Sequence, residues 1–244
     1  IKNVGSGLSY IRALKEAKYN FVLMLNSDDF FIPNGIDKLY NFAIKNNLEV
    51  AYGKMAIKKD NGIHKFNHPG YWKNDYCNSR DELTDLQIFD MYPPSFGTII
   101  KKEILDGFYN EKYYEKLLAE YGGEFKAHDY DLIVNLASKK KKIGFLNEFV
   151  CVWCPKTESQ SGEKYFTTGE AAYESAFLFN RYCKSEKFSY ETRFKIYKRI
   201  SEKLSFAKNN TQGSQSIISK HYEKFLEEIN IKSKEDHMNL RSAQ

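Results

Sequence analysis

Phe21-Val22-Leu23-Met24-Leu25-Asn26-Ser27-Asp28-Asp29 is the stretch on which the fold turns. It opens as an unbroken apolar run and breaks at once into an amide, a hydroxyl and two carboxylates. Such a run reads as a strand covered on both faces, as inside a parallel sheet, and the expectation is that it lies at the centre. In open α/β sheets, ligands sit beyond the carboxyl ends of the strands. Carboxylates placed there can take up a hard divalent cation that bridges to phosphate. The same residue types also make turns and helix caps, and Pro33 suits a helix start just downstream. Alone, the acidic turn leaves both readings open.

Working outward, Leu8, Ile11, Leu14 and Ala17 recur at helical spacing before the run. After it, Ile36, Leu39, Tyr40, Ala43 and Ile44 predict the buried side of a second helix. Val50-Ala51-Tyr52-Gly53 is a further short strand, so strand, helix and strand imply a right-handed parallel crossover. Lys54 to Lys65 alternates and turns at Asp60-Asn61-Gly62, which predicts a hairpin. Phe66 to Tyr92 is polar, aromatic and weakly periodic, as functional loops often are. Thr98-Ile99-Ile100 predicts a strand, 113–121 a helix stopped by Gly122-Gly123, and Ile143 to Trp153 one long strand or a pair. His128-Asp129 stands before a helix whose inward residues are Leu132, Ile133, Leu136 and Ala137. Lys139 to Lys142 then complement its dipole. From Thr167 the pattern is helical only, with helices expected near 168–184, 190–209 and 214–229 and a charged tail from Lys232.

The 244 residues suffice for one large domain with a helical appendage, and 42% hydrophobic residues suffice for a core. The net charge of +5 is compatible with an anionic substrate or an anionic membrane surface, and no nucleic-acid motif accompanies it. No apolar stretch approaches the ~20 residues of a membrane span. Cys77, Cys151, Cys154 and Cys183 read as reduced cytosolic thiols. The lone Cys151-Val152-Trp153-Cys154 lacks the second pair that a zinc site would need.

Taken together, these pieces resemble the family 2 glycosyltransferases with the GT-A fold. Ser9-Tyr10-Ile11-Arg12 matches the family's S-x-x-R helix, Phe21 to Asp29 its strand ending in D-x-D-D, and Pro33 its next helix. Gly107-Phe108-Tyr109-Asn110-Glu111, His128-Asp129-Tyr130-Asp131-Leu132 and Gly144 to Val152 fill the later places. The resemblance covers roughly Ile1 to Trp153. It departs at Asn26, which stands at the first acidic position, at Ala13, which follows the Arg, and at the first strands of the fold, which are expected to precede Ile1. An amide at position 26 can still accept a ribose hydroxyl, but it brings no charge to a metal.

The resemblance implies an α/β fold, a GT-A-like and mostly parallel sheet flanked by helices, over residues 1–166. A C-terminal all-helical extension would occupy 167–244. It implies inverting transfer of a sugar from a nucleoside-diphosphate donor, a UDP-sugar first, to a hydroxyl of a glycan or lipid-linked acceptor. The setting would be bacterial surface polysaccharide or glycan synthesis, in the cytoplasm and at the inner face of the membrane. Asp129 would be the general base. Arg12, Asn26, Asp28 and Asp29 would bind the donor, with Asp28 holding Mn²⁺ or Mg²⁺. His128 and Trp153 would face the acceptor, and Tyr71 and Trp72 invite the same stacking role. The competing reading of His128-Asp129 is a helix N-cap. A competing function is a non-catalytic, glycosyltransferase-like binding or scaffold module. A two-metal phosphohydrolase is disfavoured, because no second His/Asp cluster is visible.

Overall fold

The computed structural model describes residues 5–66, 96–107, 109–139, 141–156, 163–183 and 190–210, with scattered positions from 226 onward. Tyr71, Trp72, Cys77 and most of the expected helix at 214–229 lie outside the described residues. Two compact units emerge. The first joins Ile1–Lys116 to Leu132–Lys156, and the second joins Leu117–Asp131 to Thr157–Gln244.

The first unit is built on a sheet. Its strands are β1 (Phe21–Leu23), β2 (Phe30–Phe31), β3 (Val50–Lys59), β4 (Gly62–Lys65), β5 (Thr98–Lys101) and β6 (Ile143–Trp153). Their order is β1-β5-β3-β6-β2, with β4 paired to β3 as the expected hairpin. Helices α1 (Gly5–Glu16) and α2 (Gly35–Lys45) precede β3. α3 (Lys102–Asp106) and α4 (Glu111–Tyr121) follow β5, and α5 (His128–Ser138) precedes β6. β1 and β3 each pair antiparallel with β5, so they run in the same direction, as the predicted crossover requires. The α/β class with flanking helices is therefore as expected.

Strand direction differs from expectation. Among the described strands only β3 and β6 pair in parallel, and the other pairings are antiparallel. The sheet is mixed because β5 is inserted between β1 and β3. The position of the founding run differs too. β1 spans only Phe21–Leu23, is half-buried and ends the described strand order, while Leu25 is 48% exposed. An apolar run signals burial, but it does not say how much of that burial other strands supply. Phe21 and Leu23 instead pack against a cluster of Leu39, Ala43, Leu48, Ala51, Phe96, Ile99, Val150 and Cys151. α2 shows the same limit: Leu39 and Ala43 are buried, whereas Ile36, Tyr40 and Ile44 are exposed. At 100° per residue the last three form a separate stripe beside the one that the sheet covers. Where β1 meets α2, a cleft of ≈450 Å³ is lined by Tyr19, Phe21, Ile36, Asp37 and Tyr40 among others.

Close packing fixes the start of α2. A Cβ at Gly35 would overlap the Val150 carbonyl oxygen, so only glycine lets the helix approach β6 there. Asn34, just before it, adopts the left-handed region at φ 60°.

The second unit is helical beyond 163, with α6 (Glu163–Thr167), α7 (Glu170–Cys183) and α8 (Tyr190–Asn210). Tyr173, Ala176, Leu178, Phe179 and Tyr182 of α7 are buried, as are Ile196, Ile200, Leu204 and Ala207 of α8. Those four α8 positions fall at the i, i+4, i+8 and i+11 spacing of one helix face. Tyr121 stacks edge-on against Phe125 and Phe177, which ties the 117–131 segment to α7. No described helix is long and apolar enough to cross a membrane.

Candidate active site

The acidic turn owes its shape to two short strands. β1 delivers the chain to Asn26, and β2 takes it away by pairing Phe30 with Val152 and Phe31 with Cys151. That register sets Asp29 beside the end of β6. Its Oδ1 accepts a hydrogen bond from the Cys154 N–H at 2.9 Å, and its Oδ2 accepts one from Asn26 Nδ2 at 2.8 Å. The Asn26 amide oxygen in turn accepts from the Tyr10 hydroxyl at 2.5 Å. Asp29 is only 8% exposed. Burial pushes its carboxyl above the usual range, against the opposing pull of the Cys154 N–H and the Asn26 amide.

Asp28 points elsewhere. Its side chain is 22% exposed, and Lys156 Nζ approaches its Oδ2 at 3.9 Å. The two neighbouring carboxylates thus divide the work. Asp29 pins the turn to β6, and Asp28 presents charge next to a lysine. Among the described residues, no group of three His, Cys, Asp or Glu could hold a metal ion. A cation at Asp28 would fit this donor set only if it drew most of its oxygen ligands from a bound diphosphate.

Asn26, Asp28 and Asp29 are therefore brought together. Arg12 is placed differently: on α1, it shares Glu111 with Lys15, at 3.6 and 3.2 Å. Trp153, one residue before Cys154, is half-buried and meets Phe66 edge-on at 6.0 Å. Neither CxxC thiol is favoured as a thiolate. Burial holds Cys151 at about 12, and desolvation and the Asp29 charge raise Cys154.

His128 and Asp129 belong to the second unit. α5 begins at His128, so Asp129 sits within the first turn rather than at the cap, together with Asp131. Both negative charges oppose the positive end of the helix dipole. Asp129 Oδ1 accepts from the Tyr130 N–H at 2.8 Å. His128 is mostly buried, and its Nδ1 lies 2.9 Å from the Lys126 carbonyl oxygen. A carbonyl only accepts, so Nδ1 carries the hydrogen, and the other ring nitrogen is the basic one in the neutral imidazole. Asp131 is fully buried and takes a hydrogen bond from the Tyr182 hydroxyl at 2.9 Å, with Arg181 at 3.7 Å.

Three contributors escape a reading of sequence: Tyr10, the Cys154 N–H and Lys156. The first lies inside the S-x-x-R helix but two residues from Arg12, on another face of α1, so the motif does not flag it. The others act across long separations and leave no local pattern.

Residues 1–120 match the sequence profile described as Glycosyl transferase family 2. No curated protein matched the chain. Among solved structures, S. aureus TarS 1-349 in complex with UDP-GlcNAc shares 15% identity at a TM-score of 0.51, over 85% of this chain and 54% of that one. S. aureus TarS in a second crystal structure shares 17% identity at a TM-score of 0.49, over 82% and 31%. The chain thus spans about half the length of TarS 1-349. With the profile on them and the GT-A architecture behind it, residues 1–120 of this chain are a glycosyl transferase family 2 domain.

Proposed function

We propose that the chain serves the inverting transfer of a sugar from a UDP-sugar to a hydroxyl of a glycan or lipid-linked acceptor. The observation that carries this is the split between Asp29, which is consumed in holding the turn, and Asp28, which is presented beside Lys156. A structural turn needs only the first. The second is the charge that, on this reading, meets the donor diphosphate. The TarS structure that shares this fold was solved with UDP-GlcNAc, which makes that donor the first to test.

In the proposed step the acceptor oxygen attacks the anomeric carbon from the face opposite the diphosphate. The bond from that carbon to the β-phosphate oxygen breaks, UDP leaves with the electron pair, and the acceptor proton passes to Asp129. Mn²⁺ or Mg²⁺, held by Asp28 and the diphosphate, supplies positive charge to the leaving group when bound. Lys156 is a protein cation of the same sign at the same carboxylate. Asn26 and Asp29 fix the turn against the donor, and Arg12 adds positive charge on the helix before it. His128 and Trp153 serve the acceptor side. Residues 1–166 form the transferase part and 167–244 a helical extension. The basic balance suits work in the cytoplasm on an anionic membrane face in surface polysaccharide synthesis.

The test is calorimetric titration of the full-length protein with UDP, with and without Mn²⁺, in parent and Asp28→Asn. Mn²⁺ should tighten UDP binding at least tenfold in the parent and leave the variant unchanged. Equal UDP affinity in both metal conditions, or a variant like the parent, refutes the site.

A further inference from the structure

We propose that Glu174, in the second turn of α7, is a positioning residue that holds the Lys126–Asp129 turn in its working conformation. The inference rests on the reading of Asp129 as the base. Glu174 has no exposed surface. Its Oε1 accepts from the Lys126 N–H at 3.1 Å, and its Oε2 accepts from the Ala127 N–H at 2.8 Å and the Tyr165 hydroxyl at 2.6 Å. Lys126 and Ala127 are the two residues immediately before α5, and the Lys126 carbonyl orients His128. One carboxylate therefore satisfies two consecutive backbone donors and, through them, sets where the first turn of α5 begins.

A carboxylate buried only for stability is a poor choice. Stripping the solvation from a carboxylate is costly, and an apolar side chain of that size would pack without the penalty. What the carboxylate adds is direction, because two parallel N–H groups converge on its two oxygens. The surrounding contacts repeat the theme. Lys126 Nζ pairs with Glu170 Oε2 at 2.8 Å, one turn earlier on α7. Tyr182, two turns later, reaches Asp131. α7 thus holds the α5 entrance from Glu170, Glu174 and Tyr182, and Glu174 is the one that takes two backbone N–H donors.

The test compares Glu174→Ala, Glu174→Gln and Tyr165→Phe in the full-length protein, using UDP release from UDP-GlcNAc with water as acceptor and amide hydrogen exchange. Glu174→Gln keeps one acceptor and Glu174→Ala none. kcat should fall at least tenfold in Glu174→Ala and less in Glu174→Gln, while KM for UDP-GlcNAc stays within twofold. The Lys126 and Ala127 amides should exchange at least tenfold faster in the same order. If Glu174→Ala does not fold, Glu174→Gln and Tyr165→Phe carry the comparison, each expected to lower kcat at unchanged KM. Unchanged amide exchange overturns the inference even if Asp129 proves to be the base. Faster exchange at parental kcat overturns it as well, and Asp129→Asn measured alongside then shows whether the base assignment falls with it. A kcat loss matched by an equal rise in KM overturns it too, since that pattern marks a general loss of structure.

Discussion

Replacing Asp29 by Ala removes the acceptor on which two donors converge, the Cys154 N–H and the Asn26 side-chain amide. A buried donor left without a partner costs about 1–3 kcal/mol, and two are stranded here. Against this stands the relief of a carboxylate whose burial is itself unfavourable, as its raised pKa records. The net loss should be about 2–4 kcal/mol. Asp29→Asn is the instructive control. Its amide oxygen can take the Cys154 N–H, and a flip of Asn26 presents that residue's oxygen to the new amide while its NH₂ faces the Tyr10 oxygen. The bonds are re-formed, so the cost should be about 1 kcal/mol or less. Urea unfolding at 25 °C, followed by tryptophan emission, suits the question, because Trp153 is adjacent to Cys154. The pH dependence has a fixed sign. A folded-state pKa above the ordinary 3.8 means that the native state binds the proton more tightly, so the contribution of Asp29 falls as pH rises through the folded value. The gap between parent and Asp29→Ala should narrow as pH increases. An Ala variant within about 0.5 kcal/mol of the parent, or an Asn variant as costly as Ala, would refute the pinning role.

Gly35→Ala should cost roughly 1–3 kcal/mol in the same assay, since its Cβ meets the Val150 carbonyl and neither backbone can yield without disturbing β6; a neutral effect would show that α2 can shift freely. Burial lifts Glu174 from 4.5 to about 7, with the Tyr165, Lys126 and Ala127 hydrogen bonds opposing and Glu170 adding repulsion. Tyr121 and Tyr173 sit beside it with pKa values raised by burial. A raised carboxyl makes the native state bind more protons than the unfolded chain between those values, so stability should decline by about 3 kcal/mol from pH 4.5 to 7. Glu174→Gln should flatten that decline in pH-resolved melting, and an unchanged slope would contradict the assignment.

How much of this is legible in sequence depends on whether partners are neighbours in the chain. The acidic turn is readable because Leu25 and Asn26 are adjacent letters of opposite character. The α2, α7 and α8 helices are readable because their apolar residues repeat within a few positions. The place of β1 at the end of the described strand order is not, since the same five apolar residues suit a strand flanked on either side by anything apolar. β2 is missed because Phe30-Phe31 is too short to show alternation. With it goes the register that brings Asp29 to Cys154, 125 residues away. Glu174 is hidden for a similar reason. On a helix whose neighbours include Glu170 and Arg181, one more carboxylate reads as a solvated face, and only the fold reveals two backbone donors 47 and 48 residues earlier. α5 begins at His128, one residue before Asp129, and no local signal marks that start.

The proposed inversion by a single displacement requires a proton acceptor, and in that proposal the task falls to Asp129. Asp129→Asn keeps the size and the hydrogen bond to the Tyr130 N–H, so the turn should persist, with a loss of about 0.3–1 kcal/mol from the helix-dipole charge. The direct measurement is turnover of Asp129→Asn against parent in the full-length protein, with UDP-GlcNAc as first donor, alongside UDP affinity by calorimetry. UDP affinity should stay within twofold of parent and turnover should fall by ~10²-fold or more. Parental turnover at parental affinity would contradict it and leave Asp129 as a first-turn charge that stabilises α5.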